Sequence, residues 1–204
     1  MIRFDFNLPQ LIEEDILYIP DGDEYMIPNE IIHISYSTLF HGYSIKILHI
    51  PASVASISEM AFFNCPNLKS INIISSPYFC SKAGILYDKN YQRLIKFPDN
   101  KKIEHFIINE SVKILDKNAI RGCVHLKRVD LHTNVTTIDV GNFEYCPNLK
   151  TIKFYHNNPY LINFNGHIIP DDIYRKILVP NSCYDLYKNH PSFKDIRHIE
   201  TFEK

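Results

Sequence analysis

Five cysteines, ten histidines and 23 acidic residues in a 204-residue chain could in principle ligate a metal, exchange disulfides or move protons, so their spacing is the first question. A zinc site needs four converging ligands, and Cys123-Val-His125 has no second pair at that kind of spacing. The histidines are scattered and never form His-x-x-x-His. Asp21-Gly-Asp-Glu24 begins like a calcium loop but continues as Tyr25-Met-Ile-Pro28, without further oxygen ligands, and reads as a turn. Cys80 and Cys183 carry no signature of a nucleophile, and a chain with six glycines offers no phosphate-cradling loop. Asn109-Glu-Ser and Asn134-Val-Thr are glycosylation sequons, which matter only on a secreted chain. The expectation is a non-enzymatic protein with no catalytic, metal or cofactor residues.

Charge and hydropathy narrow the partners. Lysine plus arginine number 22 against 23 acidic residues, which argues against a nucleic-acid or anionic-membrane surface. No stretch approaches the ~20 apolar residues of a membrane span. The start, MIRFDFNLPQLIEED, lacks the apolar core and cleavage site of a secretory signal, and an odd number of cysteines favours free thiols. A cytoplasmic setting is the expectation, with the cell surface as the alternative.

The elements that position these residues come from a repeat. Val54, Ile57, Phe62, Leu68, Ile71 and Ile73 share their spacing with Val112, Leu115, Ile120, Leu126, Val129 and Leu131, and with Val135, Ile138, Phe143, Leu149, Ile152 and Phe154. A fourth copy runs through Ile31, Ile34, Leu39, Ile45, Leu48 and Ile50, with Gly42 where the others place Cys65, Cys123 and Cys146. All 24 of these positions are Ile, Leu, Val or Phe. A 23-residue unit cannot cover its own apolar face, so successive turns must stack into a solenoid with one continuous core. The Leu-x-x-Ile-x-Ile segments predict strands that pair in parallel from turn to turn, and the three aligned cysteines become a buried file of inert thiols.

Two further segments, 77–98 and 159–180, share a Pro-Gly-Pro spacing; the first alternates apolar and polar residues around Asp88-Lys-Asn90, so both are expected as hairpin modules. Asn181 or Ser182 is expected to cap a short helix through Tyr184, Leu186 and Tyr187, with Phe193, Ile196 and Ile199 covering the last turn over 181–204. Residues 1–22 are expected to cap the other end, making 1–204 one domain.

The string Ile50-Pro-x-Ser-Val-x-x-Ile-x-x-x-Ala-Phe-x-x-Cys-Pro-Asn-Leu-Lys-x-Ile71 resembles the BspA-type leucine-rich repeat of bacterial and protist surface antigens, as do Gly84-Ile-Leu-Tyr-Asp-Lys and Val179-Pro-Asn-Ser-Cys-Tyr-Asp-Leu-Tyr-Lys188. The resemblance implies a leucine-rich-repeat solenoid, mainly β with short helical turns, used for binding rather than for a reaction. It points to a protein-binding scaffold, or alternatively to a surface-displayed adhesin or antigen.

Outward-facing strand positions are free of core duty and therefore carry the candidate binding residues. They are His49, Ser70 and Asn72; Arg128, Asp130 and His132; and Thr151, Lys153 and Tyr155, expected as rows of a concave patch. Tyr87 and Tyr91, placed near the tip of the first hairpin, are a second candidate contact. This mixture of apolar, aromatic and oppositely charged groups suits a protein partner, with no small-molecule substrate. The alternative is an ordinary hydrated sheet face.

Overall fold

The computed structural model describes residues 10–11, 23–35, 43–63, 65–166 and 175–203, and in it each turn of chain contributes one short and one long strand. The first block holds β1 (Gln10–Leu11), β2 (Glu24–Met26), β3 (His33–Ile34), β4 (Ile47–Ile50), β5 (Ser56–Ile57) and β6 (Ser70–Ile73). Short strands stack as β1-β3-β5 and long strands as β2-β4-β6, all in parallel. An insertion follows: β7 (Phe79–Lys82), β8 (Ile85–Asp88) and β9 (Arg93–Lys96). The second block holds β10 (His105–Ile107), β11 (Ile114–Leu115), β12 (Arg128–Leu131), β13 (Thr137–Ile138), β14 (Thr151–Phe154), β15 (Asn163–Phe164) and β16 (Lys176–Pro180). It closes with helix α1 (Tyr184–Asn189) and β17 (Ile199–Phe202). Its long strands run β10-β12-β14-β16-β17 and its short strands β9-β11-β13-β15, again in parallel.

The repeat register is the one the apolar spacing predicts: Leu48 lies beside Ile71, and Val129 beside Ile152. Of the 24 ladder residues, Leu39 lies outside the described residues, as does Gly42, and 21 of the other 23 are buried. The two that are not, Ile57 and Ile73, end β5 and β6, the last strands of their parallel sheets before the insertion, where no further parallel strand continues the stack. Cys65, Cys123 and Cys146 are buried in the expected file, and the Cys123 amide donates to Cys146 Sγ at 3.4 Å.

The insertion is a three-stranded antiparallel meander rather than a single hairpin, because a second turn at Ala83-Gly84 precedes the one after Asp88. Glycine is required there. Gly84 has φ +75°, and a Cβ would run into the Ser70 side chain, since the meander closes directly over β6. The meander divides the interior in two, and β8 is the wall between them: Leu86 joins the first core, while Ile85 and Tyr87 join the second. A strand buried on both faces loses the in-out alternation of a surface hairpin. Tyr87 is therefore only 3% exposed, which corrects its expected place at a projecting tip.

Of the module expected over 159–180, residues 167–174 lie outside the described set. The described parts join different parallel ladders: β15 pairs with β13 and β16 with β14. The C-terminal segment covers the last turn with an aromatic cluster in which Phe193 packs on Phe154, Phe164 and Tyr187 at ring-centroid distances of 5.4, 5.4 and 5.1 Å. Neither Asn181 nor Ser182 supplies the expected side-chain cap; they lie inside a 3-10 turn, and Cys183 occupies the cap position of α1 without a side-chain bond. β17 adds one more parallel rung beyond the helix. The expected N-terminal cap over 1–22 lies outside the described residues except for β1, which pairs with β3.

Candidate functional site

The candidate residues sit where the long strands turn their side chains away from the core, but in two groups rather than one patch. In the first group His49 faces Glu24 of the preceding strand at 3.3 Å, and Met26 is half-exposed next to it in register. Ser70 Oγ donates to Asn72 Oδ1 at 3.0 Å, and the Ile71 amide donates to the Gly84 carbonyl at 2.9 Å. The meander thus closes against β6 and breaks the row that would otherwise run from Ser70 to Arg128.

The second group is a connected polar network built on β10, β12 and β14. Arg128 and Asp130 stand two residues apart, on the same face of β12. The guanidinium grips the carboxylate twice, Nε to Oδ1 at 2.6 Å and Nη2 to Oδ2 at 2.8 Å. His105 reaches Oδ1 from β10 at 3.1 Å, and the Tyr155 hydroxyl donates to Oδ2 at 3.3 Å. Asp130 is only 2% exposed beneath these three groups, so it is an anchor and not the accessible contact its strand position predicted. Burial pushes its carboxyl up, but the hydrogen bonds and charge of Arg128 and His105 outweigh that and hold it below the usual carboxylate range. The same bonds raise Arg128, which stays charged.

Beside this network Lys153 places its ammonium 4.4 Å from the Tyr155 ring centroid and 3.6 Å from that of Phe202, and those two rings meet edge-on at 5.3 Å. Such cation–aromatic contacts hold a long side chain in one orientation while leaving its donors open to a partner. Thr151 lies between Arg128 and Lys176 in register. His132 ties two turns together, with Nε2 2.7 Å from the Asn109 carbonyl and Nδ1 accepting from the Asn134 amide at 3.0 Å, which fixes the Nε2-protonated tautomer. Tyr91 leans on Tyr87 at 5.3 Å with φ +56°, at the turn between β8 and β9.

Sequence spacing missed His105, Ile107, Lys176 and Phe202 on this face. A signal for β10 was present: Ile103, Phe106 and Ile108 repeat the Leu126, Val129 and Leu131 spacing 23 residues earlier. The thiols offer little chemistry. Burial pushes Cys65 up to about 12 and Cys123 well above its ordinary value, so both stay protonated. Cys183 is buried and Cys80 half-buried. Among the described residues no group of three or more His, Cys, Asp or Glu could hold a metal ion, and no helix is long and apolar enough to cross a membrane.

Residues 12–87 and 93–196 match the BspA type leucine rich repeat region, in six copies. The chain belongs to the BspA-type leucine-rich repeat family. Solved structures with the same fold include a leucine-rich cell surface protein of Faecalibacterium prausnitzii, 21% identical with a TM-score of 0.62 over 87% of this chain and 53% of that one. A leucine-rich repeat protein of Eubacterium ventriosum is 20% identical, with a TM-score of 0.56 over 89% of this chain and 55% of that one. The pneumococcal vaccine antigen PcpA is 15% identical, with a TM-score of 0.51 over 89% of this chain and 68% of that one. This BspA-type domain spans about half the length of the first two. No curated protein matches it significantly. Solenoids of this family are typically non-enzymatic repeat scaffolds.

Proposed function

We propose that this BspA-type solenoid is a non-enzymatic protein-binding module whose contact surface is the outer face of β10, β12 and β14. The observation that carries this is the Asp130 network. Four side chains from three turns lock Arg128 and Tyr155 in place on a face that the core does not need, and such pre-ordering lowers the entropy cost of association. Lys153 and Phe202 extend the same surface with an aromatic-held cation, the kind of group that dominates interfaces.

The setting we favour is the cell surface, because the Faecalibacterium neighbour is described as a cell surface protein. The comparisons lend no support to the cytoplasmic expectation or to a protist origin. Affinity capture from the native cell with the wild-type chain and with an Arg128→Ala, Lys153→Ala double variant tests the binding face. Loss of specific captured proteins with an unchanged circular dichroism spectrum supports it, and identical capture overturns it. Protease shaving of intact cells tests the location: surface display predicts cleavage before lysis.

A further inference from the structure

One turn of the solenoid is short. From β9 to β10 the equivalent positions Arg93 and His105 are twelve residues apart, whereas Ser56 to Ser70, Ile114 to Arg128 and Thr137 to Thr151 each span fourteen. The short turn cuts across at Lys96-Phe-Pro-Asp99 and is tied to its neighbours by the Phe97 amide on the Ala119 carbonyl and the Asn100 amide on the Leu68 carbonyl. The corner it omits is left as a cavity of about 270 Å³ between the connections that precede β6 and β12. It lies on the side formed by those connections and not on the outer strand face.

The walls and floor of the gap differ in chemistry. Phe62, Phe63 and Ile95 supply apolar surface. Lys96 and Asp99 form the floor as a buried pair, 2.6 Å apart and 4% and 5% exposed, so their charges are committed to each other. At the mouth stand Lys117 and Arg121. Lys117 is half-buried and has no carboxylate partner among the described residues. Arg121 is held by Glu144 through Nη1 and by stacking on Phe63 and Tyr145 at 4.8 and 4.2 Å, which leaves donors unspent on a five-donor group. Glu59 is exposed at the rim, open to solvent. Behind that rim carboxylate, Lys117 is the cation at the mouth that no described carboxylate pairs with. A cavity of ~150 Å³ accommodates benzene, so this one holds a ring with a short tail.

We propose that the gap left by the short turn binds a small apolar carboxylate, its ring or branched end between Phe62 and Ile95 and its acid group on Lys117 and Arg121. A free aryl acid and the C-terminal residue of a peptide share this chemistry. The site is independent of the partner face on β10, β12 and β14.

Ligand-observed NMR on the full chain tests it with 3-phenylpropionate against 3-phenylpropionamide, and with N-acetyl-Ala-Phe against its C-terminal amide, up to the millimolar range where ligands of this size bind. At least one acid should bind saturably and roughly tenfold more tightly than its amide, the ratio expected of one charge-assisted contact. The tighter of the two acids identifies the source. Lys117→Ala should abolish the acid-over-amide preference, and Tyr145→Ala should weaken it; both side chains lie outside the core, so the fold stays readable by circular dichroism. Absence of saturable binding, equal affinity for acid and amide, or a preference unchanged in Lys117→Ala overturns the proposal.

Discussion

Replacing Asp130 by asparagine removes one negative charge from the network while keeping its shape. Arg128 then loses a two-point grip at 2.6 and 2.8 Å, and because an amide keeps one acceptor oxygen where the carboxylate has two, the donors of Arg128, His105 and Tyr155 that faced the other oxygen meet an NH2 group instead. Hydrogen bonds to a charged group are worth about 1.5–3 kcal/mol each, but Arg128 is 35% exposed and recovers solvation when released, so the net cost is about 1–3 kcal/mol. The pH dependence gives the sharper signature. Asp130 is held below the usual carboxylate range when folded, so its contribution is fully present above the unfolded value of about 3.9 and disappears as pH falls through the folded value. Urea denaturation of wild type and Asp130→Asn should therefore differ by the full amount at about pH 7, and the gap should close progressively below about pH 4. A difference under ~0.5 kcal/mol at neutral pH, or one that stays constant into acid, would refute the view that the buried carboxylate anchors this face.

Four other perturbations probe the scaffold. Leu149→Ala opens a hole in the shared column, where Leu149 is 2% exposed, and should cost ~2–5 kcal/mol in chemical denaturation. Gly84→Ala forces a left-handed φ and a Cβ against Ser70, so it should cost about 2 kcal/mol and lower the thermal midpoint by roughly 4–8 °C. Arg175→Met strands the carbonyls of Phe143 and Leu149 that the buried guanidinium now satisfies and leaves that of Cys146 with the Leu149 amide alone, and should cost about 2–4 kcal/mol by the same assay. Native alkylation followed by mass spectrometry should modify Cys80 well before Cys65, Cys123 or Cys146, because burial keeps those three from the reagent.

The apolar spacing alone specified the ladder register, since Leu48, Ile71, Val129 and Ile152 each need a partner 23 residues away to be covered. What it hid follows from interactions that no single strand encodes. Asp130 alternates outward like any surface residue, and its burial comes from Arg128, His105 and Tyr155 converging from its own and neighbouring turns. Tyr87 reads as a hairpin-surface residue because its alternation takes no account of a second core on the other side of β8. The turn carrying β10 escaped because the insertion occupies the front half of its repeat, leaving only Ile103, Phe106 and Ile108 to mark it. The same truncation made the cavity, whose lining is drawn from four turns and has no local motif.

Lysine footprinting with and without a captured partner addresses the binding face most directly. The outer face of β10, β12 and β14 predicts that Lys153, and Lys176 on the next strand beside Thr151, lose reactivity in the complex while Lys117 at the cavity mouth keeps its own. Protection of Lys117 with Lys153 and Lys176 unchanged would contradict it and move the interface to the cavity side of the solenoid.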